Sequence, residues 1–134
     1  MLAAALVACG SSSGGDICGP GDQDGVAGGS YAFDLTVTDD AFQPSILKAQ
    51  NDATVTLTLT NTGTKPHDFV IDCLATPNGN GCPTTSCFPV SAVIAAVAPG
   101  ATATATFVTP LPEGIYVFRS DPPGDTQTGQ FIVQ

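Results

Sequence analysis

Strict alternation of apolar and polar residues most limits what this 134-residue chain can fold into. Residues 53–60 read Ala-Thr-Val-Thr-Leu-Thr-Leu-Thr, and residues 31–38 and 101–108 alternate in a similar way. Because successive side chains of a strand point to opposite faces, this period of two predicts strands with one buried and one exposed face. β-Branched Thr suits the exposed, pleated face. No window sustains a period of 3.6, so we predict an all-β fold.

Turn signals divide the alternating segments into short strands. They lie at Asp39-Asp40, Asn51-Asp52, Asn61-Thr-Gly63 and Pro99-Gly100, close to the spacing typical of a β-sandwich. We expect seven to eight strands in one domain over residues 31–134. Residues 92–105 are Ala-rich and are the one stretch where a helix is an alternative to strands. Pro99-Gly100 and the alternating Thr residues favour strands there. Residues 73–90 lack periodicity and predict a long loop.

The N-terminal segment predicts export and lipid attachment. Its apolar run is too short to span a bilayer, and Leu6-Val7-Ala8-Cys9 resembles a bacterial lipobox, whose Cys becomes the lipidated first residue. We therefore expect a signal-peptide remnant at 1–8, lipidation at Cys9 and a flexible Gly/Ser linker over 9–30. The missing basic stretch suggests a start placed too late or a truncated chain. The alternative is a short apolar N-terminus with a chance Cys.

Charge excludes some partners. The net charge is −9, from 12 acidic and 3 basic residues. Such a chain repels the phosphate backbone of nucleic acid and is not drawn electrostatically to anionic lipid. We expect contact with a membrane only through the lipid anchor, in the bacterial cell envelope, either periplasmic or surface-exposed. The acids do not cluster, so solubility alone also explains the charge.

The cysteines predict disulfides. Four remain besides Cys9, an even number that suits an exported protein: Cys18, Cys73, Cys82 and Cys87. Three pairings are open. Because Cys73, Cys82 and Cys87 share one loop, we expect one bond among them. The alternative is a zinc site of these three with His67, although their spacing matches no familiar zinc motif.

The last 21 residues, from Gly114 to Gln134, read as strand, tight loop and strand. This segment resembles the copper loop of the cupredoxins, the family of plastocyanin, azurin and pseudoazurin. Earlier segments resemble the same family in order and spacing, namely Phe42-x-Pro44, Asn61-x-Gly63, His67-Asp68-Phe69-Val70-Ile71 and Ile94 to Pro99-Gly100. The resemblance covers about residues 31–134 and implies a cupredoxin-like Greek-key β-sandwich.

The resemblance also implies a site at one end of the sandwich. In the family, two His and one Cys bind copper in a plane, with a weak axial Met or Gln. The matching positions here are His67, Ser120 for the Cys, Asp125 for the second His, and Gln130 for the axial ligand. A hydroxyl is a poor copper ligand and a carboxylate a hard one, so we expect neither a type 1 copper centre nor another cofactor.

His67 is then expected to be a polar residue hydrogen-bonded to the loop. One metal alternative is a weak oxygen-rich site of His67, Asp125, Gln130 and Ser120 for a divalent ion. The other is a copper site with Cys73 as sulfur donor, although Cys73 follows His67 by six residues, roughly 20 Å along a strand, and would have to fold back. Ser120, His67 and Asp125 also have the residue types of a hydrolase triad. No Gly-x-Ser-x-Gly elbow accompanies them, so we expect no enzyme.

The function that this pattern favours is an extracytoplasmic, lipid-anchored cupredoxin-like binding or interaction module. Its partner would be an unidentified protein that contacts the sandwich end and the 73–90 loop. The alternative is a periplasmic copper-binding or electron-transfer protein with an altered metal site.

Overall fold

The computed structural model describes residues 28–75 and 85–134. The predicted signal-peptide remnant and nearly all of the predicted linker lie outside the described residues, as do Cys9, Cys18 and Cys82. In the described part, no helix is both long and apolar enough to cross a membrane.

The described residues form a β-sandwich, which confirms the predicted fold class. In chain order the strands are β1 (Ser30–Val37), β2 (Phe42–Gln43), β3 (Ile46–Ala49), β4 (Thr54–Asn61), β5 (His67–Ile71), β6 (Leu74–Ala75), β7 (Thr85–Ser86), β8 (Ile94–Val97), β9 (Thr102–Val108), β10 (Gly114–Arg119) and β11 (Thr128–Val133). One sheet has the order β2-β1-β4-β9 and the other β3-β11-β10-β5-β8, while β6 and β7 form a separate ribbon. The strands beyond the expected number are short, since β2, β6 and β7 have two residues each.

The alternating Thr residues take the side of the sheet that the pattern predicts. Val55, Leu57 and Leu59 of β4 are fully buried, while the intervening Thr residues lie on the outer face. Strand β9 is antiparallel to β4, so that Thr side chains stand opposite each other in rows. We call this surface the Thr face, formed by Thr56, Thr58, Thr60, Thr102, Thr104 and Thr106.

Aromatic rings fill the space between the sheets. Phe42, Phe69 and Phe118 form one group, with Phe118 centred 5.2 Å from Phe42 and 5.1 Å from Phe69. Contacts of this kind contribute about 0.5–1.5 kcal/mol per pair beyond the area they bury. Phe69 follows His67 by two residues and Phe118 precedes Ser120 by two. The group therefore fixes the strands that carry two of the site positions.

The long loop after β5 is tied to the sandwich. A disulfide joins Cys73 to Cys87, which confirms a bond among the loop cysteines. Because the sulfurs of Cys73 and Cys87 are bonded to each other, these two residues are not available as zinc ligands. The Tyr116 hydroxyl contacts Ser86 and donates to the carbonyl of Pro112. In the Ala-rich stretch over 92–105, which was expected to form strands, strand β8 begins only at Ile94 because Val90–Ala92 forms a 3₁₀ turn.

The two ends of the sandwich have different contents. At the entry end, Gly28 donates to Asn51 and Asn51 to Gln134, so the chain enters the domain there. At the opposite end, the pairing of β1 with β4 finishes at Val37 and Asn61. Strand β10 also finishes there and β5 begins. We call this the site end, because it carries His67 and Ser120.

Candidate functional site

His67 is the centre of the site end. It is the first residue of β5, pairs with Val97 of β8 and is fully buried. Two carboxylates reach its ring from different segments. Nδ1 lies 2.7 Å from Oδ2 of Asp125, and Nε2 lies 3.0 Å from Oδ1 of Asp39. The expectation that His67 is hydrogen-bonded to the final loop agrees with this placement.

These contacts decide the protonation of the ring. An ionised carboxylate only accepts hydrogen bonds, and a neutral imidazole has a single N–H. Both contacts can be hydrogen bonds only if both ring nitrogens carry protons. Burial lowers the pKa of His67, but the hydrogen bonds and charges of Asp39 and Asp125 outweigh it and raise the pKa above its usual value.

Asp39 belongs to the site although the sequence placed it only in a turn. Its Oδ1 accepts the backbone N–H of Thr64 at 2.9 Å, and its Oδ2 accepts the Thr64 hydroxyl at 2.6 Å. The bonds from the Thr64 hydroxyl and from His67 hold the pKa of Asp39 well below its usual range. No local motif marks this role, because Asp39 precedes His67 by 28 residues and meets it only through the tertiary fold.

Asp125 and Ser120 form the other side of the site. Oδ2 of Asp125 accepts the Ser120 hydroxyl at 2.5 Å as well as the His67 ring. Burial raises the pKa of Asp125, but the hydrogen bonds from Ser120 and His67 and the charges of His67 and Lys65 lower it overall. Ser120 Oγ also accepts the backbone N–H of Asp68 at 3.2 Å, so the hydroxyl links the loop to β5.

The loop between β10 and β11 is held by hydrogen bonds within the loop and to the residue that follows β1. Asp125 N–H donates to the carbonyl of Pro122, and Gly124 has a φ of 91°, a conformation that favours glycine. Gln127 is buried, and its Nε2 donates to the carbonyl of Thr38 at 2.9 Å. This role of Gln127 could not be predicted, because a buried amide in a polar loop has no periodic signal.

Gln130 lies apart from the other three predicted positions. In β11 its neighbours Gly129 and Phe131 are buried, so the alternation turns Gln130 to the exposed face. There it pairs with Val117 and lines a shallow depression between β3 and β10. The structure therefore brings together His67, Ser120 and Asp125, adds Asp39, and leaves Gln130 outside.

The residues at the site end do not fit type 1 copper. Both nitrogens of His67 are taken by carboxylates, and Ser120 supplies a hydroxyl that is already bonded to Asp125. The sulfur of Cys73, considered as a replacement, is bonded to Cys87. Among residues 28–75 and 85–134, no group of three or more His, Cys, Asp or Glu could hold a metal ion.

A hydrolase triad does not form either. Such a triad needs the serine hydroxyl to donate to the imidazole, which takes its proton. Here the Ser120 hydroxyl donates to Asp125 instead, and the two ring nitrogens of His67 face Asp125 and Asp39. Ser120 is also buried and so is not presented to a substrate.

Comparisons with known proteins agree on the fold. The family model described as "Cupredoxin-like domain" matches residues 1–133. Auracyanin from Roseiflexus castenholzii is 19% identical with a TM-score of 0.58, covering 78% of this chain and 96% of its own. Auracyanin A from Chloroflexus aurantiacus, a "blue" copper protein, is 17% identical with a TM-score of 0.56, and the match covers 78% of this chain and 99% of auracyanin A.

Larger enzymes contain a similar domain. A multicopper oxidase is 18% identical with a TM-score of 0.55, and the match covers 78% of this chain but 42% of the oxidase. At such identities the likeness shows the fold alone. No curated protein matches the sequence.

Proposed function

Because the chain belongs to the family of cupredoxin-like domains, we propose that it is a binding module that uses this sandwich without a type 1 copper centre. The observation that carries this function is the engagement of both His67 nitrogens by Asp39 and Asp125. A ring that carries a proton on each nitrogen has no lone pair for a metal.

The placement of the two ends supports an outward-facing module. We propose that a lipid on Cys9 holds the chain at a membrane and that the segment up to Gly28 acts as a tether. Since the chain enters the sandwich at Gly28, the site end is the end farther from the proposed tether. We therefore place the partner contact at the site end.

Charge gives the partner a chemical character. The chain has a net charge of −9, and Asp40 and Asp121 are exposed at the site end. Acidic surfaces steer basic partners and raise the rate of association at low salt. The partner is thus a protein with a basic docking surface.

A copper titration tests the absence of type 1 copper. The full chain is mixed with Cu(II) and with Cu(I), and absorbance and bound metal are measured. We expect no intense blue thiolate band and no saturation at one copper per chain. Saturable, tight binding would instead support the competing function, a copper-binding or electron-transfer protein with an altered site.

Site-specific photo-crosslinking tests the contact surface. A photoreactive residue replaces exposed Thr126 at the site end or, as a matched control, exposed Glu113 at the entry end. We expect a discrete protein adduct in intact cells for position 126 and none for position 113. Equal labelling at both positions, or an adduct at position 113 alone, would contradict the proposed orientation.

A further inference from the structure

We propose that His67, protonated on both nitrogens, is a proton-held clasp that ties the two sheets together at the site end. The clasp consists of Asp39, His67 and Asp125. It concerns what holds this end of the sandwich closed, and it does not depend on whether the domain has a partner.

The clasp joins three separate segments. Asp39 lies in the turn after β1, which belongs to the four-stranded sheet. His67 begins β5, and Asp125 lies between β10 and β11, all strands of the five-stranded sheet. The 3.0 Å contact of the ring with Asp39 therefore connects one sheet with the other, and the 2.7 Å contact with Asp125 ties the start of β5 to the final loop of the same sheet.

Each acid is oriented by a second group. Thr64 holds the Asp39 carboxylate with a backbone N–H and a hydroxyl, and Ser120 holds the Asp125 carboxylate with its hydroxyl. Neither carboxylate depends on the ring for its position. The ring in turn has no exposed surface, so water cannot replace either partner without opening the loop. Two carboxylate acceptors held in these positions favour the ring that has a proton on each nitrogen.

The proton is essential to the link. In the neutral ring, one nitrogen would present a lone pair to a carboxylate oxygen at hydrogen-bond distance, and that contact would become repulsive. Loss of one ring proton would thus break the hydrogen bond from His67 to either Asp39 or Asp125. A metal ion at this position would have to compete with these protons.

The other charged groups near the ring do not supply this link. Those on the segments that pack around it are Asp40, Lys65, Asp68, Arg119 and Asp121. Lys65 helps to lower the pKa of Asp125. Arg119 contacts Asp72 and Asp121, and Asp68 accepts the backbone N–H of Asp121. The bond from Arg119 to Asp121 and the bond from the Asp121 N–H to Asp68 join β10, β5 and the final loop, which all belong to the five-stranded sheet.

Nitrogen NMR tests the clasp directly. The sequence contains a single histidine, so ¹⁵N-histidine labelling of the full chain reports on His67 alone. At pH 6.5 a free imidazole is about half neutral. We expect both ring nitrogens of the metal-free protein to carry protons at this pH, with slow exchange of both N–H protons. A ring that is half neutral or more at pH 6.5 would overturn the clasp.

A matched pair of variants shows whether Asp39 holds the proton. Asp39→Asn removes the charge beside Nε2, whereas Asp40→Asn makes the same change at the exposed neighbour. We expect the proton affinity of His67 to fall at least about tenfold in the first variant and less than about twofold in the second. Equal changes in both would overturn the clasp. If Asp39→Asn does not fold, Thr64→Val, which loosens Asp39, replaces it, with an expected decrease of about twofold or more.

The copper titration keeps the two proposals separate. Tight copper binding by a chain whose metal-free ring is doubly protonated at pH 6.5 would refute the proposed function and leave the clasp intact. A ring with one proton in a chain that binds no copper would refute the clasp and leave the function intact.

Discussion

The two ends of the sandwich are closed by different chemistry. At the entry end the contacts are neutral: the Thr109 hydroxyl accepts the N–H of Ala53 at 2.9 Å and donates to the carbonyl of Gln50 at 2.7 Å. At the site end an imidazolium lies between two carboxylates. Neutral bonds keep their strength at any pH near neutrality, whereas charged bonds depend on the protons present. One fold therefore has a pH-independent end and a pH-dependent end.

The largest effect should come from building a metal site at the site end. In the double variant Ser120→Cys and Asp125→His, a thiolate and a second imidazole replace the oxygen donors, and Nδ1 of His67 loses its carboxylate. We expect this variant to bind copper with an intense blue absorption. Asp39 would then orient His67 from behind, as carboxylates often do for metal-bound imidazoles.

A third change tests that role of Asp39. Adding Asp39→Ala to the double variant should weaken copper binding about 10–100-fold, the usual effect of losing such a partner. A double variant that folds but stays colourless would show that the final loop does not have the register of a copper loop.

Removing the imidazole should be the largest single loss of stability. His67→Ala leaves two carboxylates without their shared cation, and breaking a buried charged pair costs about 3–5 kcal/mol. Because the Asp39 side chain is 29% exposed, we expect the free energy of unfolding to fall by the lower limit of this range, about 3 kcal/mol. Urea unfolding at pH 6 measures this loss. A loss below about 1 kcal/mol would mean that the clasp contributes little.

The pH dependence of stability should separate the two ends. The folded pKa of His67 is raised, so its contribution is complete below the unfolded value of about 6.5 and is lost as the pH rises through the folded pKa. The pKa values of Asp39 and Asp125 are lowered, so their contribution is complete above about 4 and is lost as the pH falls through the folded values. The cost of His67→Ala should therefore be greatest between about pH 4 and 6.5 and shrink as the pH rises through the folded pKa of His67.

The smallest effect should come from the entry end. Thr109→Val keeps the shape of the side chain but removes both hydrogen bonds of the hydroxyl. We expect a loss of about 1–2 kcal/mol, since the buried N–H of Ala53 is left without its acceptor. The loss should be the same at pH 5 and pH 9. A loss that varies with pH would mean that the two ends are coupled.

The sequence allowed the sandwich to be predicted because burial imposes a period of two on each strand. Val55, Leu57 and Leu59 show this most clearly, and all three are buried. The 3₁₀ turn at Val90–Ala92 was missed because three apolar and small residues next to a strand have no period of their own. The same holds for the two-residue strands β6 and β7.

The site was only partly predictable. The family pattern located His67, Ser120 and Asp125, which meet in the structure. It did not locate Asp39, because nothing near residue 39 indicates that the end of β1 lies beside the start of β5. It also placed Gln130 at the site, whereas alternation along β11 turns that residue outward and Gln127 is the buried amide.

The Thr face has a consequence for how any complex of this protein should respond to ions. Its hydroxyls pair across β4 and β9, as in Thr60 with Thr102 at 3.1 Å, and the one charged residue of the neighbouring strand β1 is Asp34, opposite Thr58. A ligand that binds to these uncharged hydroxyls would release few counterions. An affinity that falls steeply with added sodium chloride would therefore locate the contact elsewhere on the sandwich.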